Sequence, residues 1–253
     1  MSQTLTGKIA VVSGSSSGIG LAIATELSSR GASVVVNYPF PSLSPEASAL
    51  VKSLPTPGIA VCADLSTIEG PKELIEAVVR EYGKVDILVN NAARAVMKPF
   101  EEQSLEDWDF IVNLNGRGTF LLTQAVLPYL SREGGRIVNI SSGSSRDPPP
   151  LHTIYSGTKG MIDSFTRVWA RELPRKYGCT VNTVSPGITE TPGILGLGED
   201  IIKSIQPAID STPVEARMGA PEEIAYAVGF LCEERARWMN GVYLRANGGL
   251  YIE

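Results

Sequence analysis

The chain opens with a predicted strand, a glycine-rich turn and a predicted helix, and this order restricts the fold more than any other feature. Residues 8–12 form a short apolar run typical of a buried strand. The turn that follows carries Gly14, Gly18 and Gly20, and residues 21–27 then repeat apolar side chains at helical spacing. Glycines allow a backbone to approach a pyrophosphate closely, and the N-terminus of a helix offers it free N–H groups. The segment therefore favours dinucleotide binding over a purely structural glycine turn.

Predicted strands and helices then alternate along the chain. Apolar runs predict strands at residues 33–37, 58–63, 85–89, 136–140, 180–184 and 241–245. Helical periodicity lies between them, at residues 45–54, 71–81, 110–130, 155–176 and 221–232. Such alternation implies right-handed crossovers and a parallel sheet. Since neither an internal repeat nor a linker interrupts it, residues 1–253 are predicted to form one α/β domain. The expected fold is a Rossmann-like doubly wound parallel sheet of about seven strands, with helices on both faces.

Composition argues against several function classes. Hydrophobic residues make up 43% of the 253 residues, which is ample for a buried core. The formal net charge of −5 argues against a surface that binds nucleic acid or acidic membranes. We expect no membrane span and no secretory leader. The cysteines Cys62, Cys179 and Cys232 stand in apolar settings without a C-x-x-C spacing, so we expect buried thiols in the cytoplasm. With one histidine and no Cys/His cluster, we expect no metal.

Tyr155 and Lys159 stand four residues apart in a predicted helix. Residues at this spacing share one helix face, so the ammonium group is expected beside the phenol. A positive charge there would favour the ionised phenol and lower its pKa from the ordinary value of about 10. The pair is weak evidence alone, because Tyr and Lys at this spacing also occur on ordinary surface helices.

In the context of the whole chain, the pair belongs to a series of motifs that resembles the short-chain dehydrogenase/reductase family. The motifs occur in the family's order over nearly the whole chain. They are the turn glycines, Asp64, Asn90-Asn91-Ala92, Asn113, Ser142, the Tyr155–Lys159 pair, Ser185-Pro186-Gly187 and Gly248-Gly249. One position departs from the family pattern, since Ala93 stands where a glycine is usual. We expect a small effect, because that loop need not require a positive φ.

The resemblance implies four catalytic residues: Asn113, Ser142, Tyr155 and Lys159. Tyr155 would donate a proton to a carbonyl oxygen, or accept one in the reverse direction, while Lys159 lowers its pKa and binds the nicotinamide ribose. Ser142 would hydrogen-bond the substrate oxygen. It is favoured over its neighbouring serines at 141, 144 and 145 by its spacing to the tyrosine. Asn113 would hold a water that links Lys159 to solvent, with Asn115 as the competitor. His152 is expected to be a surface loop histidine.

The resemblance also implies a cofactor site. Asp64 and Leu65 would flank the adenine, although Asp64 is equally typical of a turn at a strand end. Asn91 would approach the adenosine side through its backbone. Ile188 would meet the carboxamide, with Thr189 or Thr191 near the pyrophosphate. The full predicted set is Gly14, Ser16, Ser17, Gly18, Ile19, Gly20, Asn37, Asp64, Leu65, Asn91, Tyr155, Lys159, Ile188, Thr189 and Thr191.

NADP is the predicted cofactor, with NAD as the alternative. An acid at the end of the second strand would bind the ribose 2′-OH and repel a 2′-phosphate. That strand ends in Asn37-Tyr38-Pro39-Phe40, and the next acid is Glu46. The arginine that many NADP-dependent relatives carry before the second glycine is replaced by Ser17. A 2′-phosphate would therefore rely on Ser16, Ser17, Asn37 or Ser42 and on backbone N–H groups.

The segments expected to line the substrate site carry few charges, which suggests a neutral or aromatic substrate. These segments are residues 93–100, 144–153 and 188–209. Residues 35–38 and 155–160 most resemble the reductases of polyketide-derived aromatic ketones, such as naphthol reductases, and similar runs occur in sugar and acyl-carrier-protein reductases. Residues 189–213 are expected to form a substrate lid, the alternative being a disordered surface excursion. An imine or enone reductase, or a cyclase or other non-redox protein on the same fold, are the alternatives to carbonyl chemistry. The family resemblance also implies a small-molecule substrate and a homodimer or homotetramer.

Overall fold

The computed structural model describes residues 3–252, and within them one parallel sheet of seven strands organises the molecule. The strands lie in the order β3-β2-β1-β4-β5-β6-β7, and every neighbouring pair is parallel. Their bounds are β1 (Ile9–Val12), β2 (Ser33–Tyr38), β3 (Gly58–Cys62), β4 (Ile87–Asn90), β5 (Gly135–Ile140), β6 (Cys179–Pro186) and β7 (Tyr243–Ala246). The order reverses between β1 and β4, which is where ligands bind in doubly wound sheets. The predicted Rossmann-like fold is confirmed.

Helices cover both faces of the sheet. They are α1 (Gly18–Ser29), α2 (Ser44–Ser53), α3 (Gly70–Tyr82), α4 (Leu105–Val112), α5 (Thr119–Val126), α6 (Thr153–Glu172), α7 (Pro174–Tyr177), α8 (Pro192–Leu195), α9 (Glu199–Asp210) and α10 (Pro221–Cys232). In β1, Ala10 and Val12 pack with α1, α2 and α10, while Ile9 and Val11 pack with α3, α5 and α6. The strand is apolar at every position because both of its faces are buried.

The long helix predicted over residues 110–130 is interrupted. It begins earlier, at Leu105, because Ser104 and Asp107 form a reciprocal capping box at its start. A π-helical turn, the π segment (Asn113–Gly118), then separates α4 from α5. Such turns are frequent at functional sites, since the extra residue rotates the following side chains around the helix axis.

One cysteine prediction is wrong. Cys179 and Cys232 are buried as expected, but Cys62 is exposed. Cys62 is the last residue of β3, the strand at the edge of the sheet, so no further strand covers it. Separately, no helix in the described part of the chain is both long enough and apolar enough to cross a membrane.

Candidate active site

The glycine turn between β1 and α1 is packed too tightly for side chains. Gly14 and Gly18 have φ values of +59° and +55°, in the left-handed region. A Cβ at Gly20 would overlap the carbonyl oxygen of Gly14 and lie 2.6 Å from Nδ2 of Asn91. The turn therefore leads directly into the first N–H groups of α1, which are the groups that bind a pyrophosphate.

Two asparagines hold this turn from behind. Oδ1 of Asn37 accepts a hydrogen bond from the Gly14 N–H at 3.0 Å, and its Nδ2 donates to the Ala63 carbonyl oxygen at 3.0 Å. Nδ2 of Asn91 donates to the carbonyl oxygens of Ser13 and Gly14 at 2.9 and 3.0 Å. Asn37 is only 2% exposed, and its side chain is directed into the backbone. The contribution of Asn37 to a 2′-phosphate site stays a prediction, and in this structure its side-chain amide is already bonded to the backbone.

The remaining predicted cofactor residues surround the turn at different depths. Thr191 packs against the turn, since a Cβ at Gly18 would lie 3.5 Å from its side chain, whereas Thr189 is buried and donates to the Gly187 carbonyl oxygen at 3.1 Å. Thr191 is thus the threonine nearer to the expected pyrophosphate position. Four of these residues are partly exposed and Ser17 is exposed; the four are Ser16, Gly18, Ile19 and Ile188.

Asp64 and Leu65 follow β3 and behave differently from each other. Oδ1 of Asp64 accepts hydrogen bonds from the N–H and Oγ of Ser66, at 2.9 and 2.7 Å. This is the turn arrangement that a strand-end aspartate commonly makes. Leu65 is buried in the core beneath α3 and α5. The adenine contacts expected of both residues stay predictions.

Tyr155, Lys159 and Ser142 meet at the carboxyl end of β5. Tyr155 lies in the first turn of α6, and Lys159 follows one turn later on the same face. Lys159 is 4% exposed; its Nζ donates to the Ile140 carbonyl oxygen at 2.8 Å and lies 5.6 Å from the centre of the Tyr155 ring. Ser142 lies two residues beyond the end of β5, and its side chain hydrogen-bonds Tyr155. The predicted cluster is therefore assembled, while the catalytic role of each member stays a prediction.

Electrostatics at this cluster differ from the sequence expectation. Burial raises the pKa of Tyr155 above 10, and only the hydrogen bond with Ser142 works in the other direction. Burial lowers the pKa of Lys159 to about 8, against the opposing effect of Asp163. The i, i+4 spacing predicted a lowered tyrosine pKa, but the ε-amine is directed to the Ile140 carbonyl and both groups are withdrawn from water. At neutral pH the phenol carries its proton, which is the form that can donate one to a carbonyl.

The π segment directs Asn115 into the site. Asn115 is 1% exposed; its Oδ1 accepts from the Arg94 N–H at 2.8 Å, and its Nδ2 donates to the Arg94 carbonyl oxygen at 2.9 Å and to Oγ1 of Thr158 at 3.1 Å. Thr158 immediately precedes Lys159. Among the described residues, the side chain of Asn113 makes no hydrogen bond with the site and is partly exposed. The geometry thus favours Asn115, the alternative named above, over Asn113 as the asparagine of the site. The π segment determines which of the two side chains faces the site, and helical periodicity in the sequence did not reveal this turn.

The segments predicted to line the substrate site, residues 93–100, 144–153 and 188–209, are called the substrate wall. Basic side chains of this wall contact other groups of the protein. Lys98 donates to both carboxylate oxygens of Asp107 at 2.9 and 2.8 Å. The Arg94 guanidinium lies 4.6 Å from the centre of the Phe110 ring, and Nε of Arg146 lies 3.2 Å from Oδ2 of Asp163. The wall therefore offers little positive charge to a substrate. His152 is partly buried and its ring meets Tyr155 edge-on, so it is closer to the site than a surface loop histidine would be.

Two loop positions near this wall differ in backbone conformation. Ala93 has no positive φ, which agrees with the small effect expected of a methyl group there. Leu151, after the three consecutive prolines, has a φ of +69° and an exposed side chain. A leucine in this region is strained, and such strain is frequent in ligand-binding loops.

Comparison with known proteins gives consistent matches over the whole chain. The family model described as enoyl-(acyl carrier protein) reductase matches residues 14–251. The short-chain dehydrogenase/reductase FrzI of Cladobotryum is 38% identical over 252 residues, covering 98% of this chain and 97% of the relative. The hydroxynaphthalene reductase arp2 of Aspergillus fumigatus is 35% identical over 251 residues, with 94% and 90% covered.

The fold comparison agrees. A blue fluorescent protein from a metagenomic library, solved in complex with NADPH, superposes with a TM-score of 0.91 at 32% identity, covering 98% of this chain and 100% of that one. The glycine turn, the Ser142–Tyr155–Lys159 cluster and these full-length matches lead to one conclusion: the chain belongs to the short-chain dehydrogenase/reductase family of oxidoreductases.

Proposed function

We propose that this protein is an NADP-dependent reductase that transfers a hydride between the nicotinamide and a carbonyl or alcohol carbon of a neutral, aromatic, polyketide-type small molecule. The observation that carries the proposal is the Ser142–Tyr155–Lys159 cluster, which lies at the carboxyl end of the sheet together with the glycine turn. The hydroxynaphthalene reductase among the relatives supports the aromatic substrate class.

The surroundings of the second strand support NADP over NAD. The end of β2 carries no carboxylate: Asn37 and Tyr38 are buried, and the nearest acid along the chain is Glu46, on α2. Ser17 and Ser42 are exposed hydroxyls and remain the candidates for a 2′-phosphate. The structural neighbour solved with NADPH supports the same choice. The residues present therefore fit the dinucleotide.

The bound cofactor supplies or accepts the hydride, and the chain's own residues handle the oxygen and its proton. Tyr155 donates its phenolic proton to the carbonyl oxygen, and Ser142 hydrogen-bonds that oxygen as negative charge develops on it. Lys159, with a pKa near 8, is mostly charged at neutral pH and stabilises the tyrosinate that remains. Asn115 positions the segment after β4 against α6 through its bonds to Arg94 and Thr158.

The substrate class follows from the wall. Because Lys98, Arg94 and Arg146 each form an ion pair with an aspartate of the protein, they offer little uncompensated positive charge to an anionic or phosphorylated substrate. The lid proposed over residues 189–213 comprises α8 and α9, and Thr191 at the start of α8 contacts the glycine turn. A movement of this segment would open and close the cofactor site.

The experiment that tests the function is NADPH consumption with 2-tetralone, a bicyclic aromatic ketone, by wild-type protein and Tyr155→Phe. We expect wild type to oxidise NADPH and Tyr155→Phe to lose turnover by about 1,000-fold, because the proton donor is gone. Binding of NADPH, followed by its fluorescence, is expected to stay close to wild type.

Tyr129→Phe is the matched control, since Tyr129 is exposed and remote from α6 in the chain. Full turnover by Tyr155→Phe would show that the mechanism is wrong. NADPH binding without oxidation by any ketone, imine or enone would favour a cyclase or another non-redox protein.

Assembly and location are also part of the proposal. A dimer or tetramer is supported by exposed aromatic side chains on neighbouring helices, Trp108 and Phe110 on α4 and Phe120 on α5. A cytoplasmic location is supported by the three free thiols.

A further inference from the structure

A buried carboxylate lies one helical turn beyond the catalytic lysine. Asp163 follows Lys159 by four residues on α6, and it is 3% exposed. Residues at this spacing lie on one helix face, and the negative charge of Asp163 acts on the ε-amine electrostatically, without a direct ion pair between them. Oδ2 of Asp163 lies 3.2 Å from Nε of Arg146, while Oδ1 is buried and has no hydrogen-bond partner among the described residues. A buried charge of this kind is costly unless it is compensated, so its position next to Lys159 calls for an explanation.

Arg146 reaches this carboxylate from the loop that begins with Ser142. Its guanidinium carbon lies 4.8 Å from the centre of the Tyr243 ring, on β7. The Tyr243 hydroxyl in turn lies 2.8 Å from Oγ of Ser185 and 3.2 Å from the carbonyl oxygen of Ser142. The arginine is therefore held between β7 and α6, and it fixes the carboxylate behind the site without entering it.

Among residues 3–252, few other charges lie close to Lys159. On its own helix the titratable neighbours are Tyr155 and Asp163. The strand beneath offers the Ile140 carbonyl, and the π segment offers the neutral amide of Asn115 through Thr158. On α4, the carboxylate of Asp107 forms an ion pair with Lys98. The loop after β5 contributes Arg146, which acts through Asp163, and β7 contributes the neutral phenol of Tyr243.

We propose that Asp163, fixed in place by Arg146, is a positioning residue that keeps the ammonium group of Lys159 charged and thereby extends the alkaline range over which the Tyr155–Lys159 pair works. The catalytic part of this inference rests on the proposed reductase function. The electrostatic part does not, because it concerns the protonation of Lys159 itself.

The sign of the effect follows from the charges. Burial lowers the pKa of Lys159 to about 8, and the carboxylate of Asp163 opposes that decrease. Removing the negative charge of Asp163 therefore lowers the lysine pKa further. Removing the positive charge of Arg146 leaves the carboxylate unneutralised, so it raises the lysine pKa. A purely structural role of the pair would not produce shifts of opposite sign.

The test is a pH titration of Lys159 by NMR on protein labelled with ¹³C at the lysine ε carbon, with the resonance assigned by its absence in Lys159→Arg. We expect Asp163→Asn to lower the titration midpoint by about one pH unit, and Arg146→Met to raise it. Asp163→Glu, which keeps the charge, is expected to restore the wild-type midpoint. In parallel, the alkaline limb of kcat/KM for reduction of 2-tetralone should move in the same direction as each midpoint.

Unchanged midpoints, or midpoints that move in the same direction in Asp163→Asn and Arg146→Met, would overturn the inference. Should Asp163→Asn not fold, Arg146→Met decides alone, because Arg146 is partly exposed and its replacement leaves no buried cavity. If the midpoints shift as expected but the alkaline limb does not follow, the catalytic part is wrong. If wild type reduces no carbonyl compound, the proposed function fails while the NMR titration still decides the electrostatic part.

Discussion

At the scale of single residues, the cofactor site depends on close packing around the backbone of the glycine turn. The glycine turn lies against Ala92 and Thr191, and its own carbonyl at Gly14 faces Gly20. The two asparagines behind it use their side-chain amides to satisfy backbone groups that would otherwise be buried without partners. Single-atom changes at these positions therefore act on the cofactor site through the backbone.

Gly20→Ala is expected to distort the turn, because the added methyl group overlaps the Gly14 carbonyl oxygen. Overpacking of this kind costs about 1–3 kcal/mol of folding free energy. We also expect NADPH to bind about tenfold or more weakly, since each 1.4 kcal/mol of lost contact is tenfold. Gly160→Ala is the control: nothing lies within 4 Å of its Cβ, so α6 should gain stability and NADPH binding should not change.

Asn37→Asp separates a buried structural role from a role in cofactor choice. The substituted oxygen would face the Ala63 carbonyl at 3.0 Å, so two acceptors would meet without a proton. We expect a loss of about 1–3 kcal/mol, measured as a lower thermal midpoint. Ser42→Asp, at an exposed position, should leave that midpoint unchanged. A stable Asn37→Asp protein that prefers NADH would show that this side chain faces the ribose after all.

At the scale of elements, the π segment between α4 and α5 decides which asparagine enters the site. Its glycines permit close packing: a Cβ at Gly118 would overlap the Leu65 carbonyl oxygen, and one at Gly116 would lie 2.9 Å from Sδ of Met161. The segment thus lies between the turn after β3 and the helix that carries Tyr155. Within the segment, the side chain of Asn115 joins the loop after β4 to α6 through Arg94 and Thr158.

Asn115→Ala and Asn113→Ala form a matched pair for this element. Asn115→Ala removes three hydrogen bonds to Arg94 and Thr158, so we expect about a 100-fold decrease in kcat because the catalytic groups are misplaced. Asn113→Ala should change the free energy of unfolding by no more than about 0.5 kcal/mol. Steady-state kinetics and thermal unfolding of both variants measure these effects. If Asn113→Ala lowers kcat more than Asn115→Ala does, Asn113 is the asparagine of the active site.

At the scale of the whole molecule, one side of the fold remains apolar where α4, α5 and α6 lie together. The exposed side chains there are Trp108, Phe110, Phe120 and Val168. Phe120 and Phe165 approach with ring centres 6.1 Å apart, which joins α5 to α6 in one aromatic surface. An apolar surface of this kind is typical of contacts between copies of a chain.

Phe120→Glu is expected to reduce the proposed oligomer to a smaller species, because it places a charge in the centre of that surface. Size-exclusion chromatography with light scattering measures the change. Ile68→Glu is the control, since Ile68 is equally apolar and more exposed, but precedes α3 on another part of the surface. A wild-type protein that runs as a monomer would exclude this assembly.

Patterns of local spacing determined much of this protein. The strand–turn–helix at the N-terminus, the alternation of seven strands with helices and the Tyr155–Lys159 spacing are properties of neighbouring residues, and the structure has all three. Apolar runs and helical periodicity predict the strands and helices, because the pattern of burial along a segment depends on its local geometry.

Only the tertiary structure decided where individual polar groups point. The direction of Asn37, the choice of Asn115 and the engagement of Arg146 by Asp163 each depend on contacts between segments more than 15 residues apart. The raised pKa of Tyr155 likewise comes from burial, which outweighs the opposing hydrogen bond from Ser142. Desolvation and hydrogen bonding between distant segments are properties of the assembled fold, and no local pattern in the sequence encodes them.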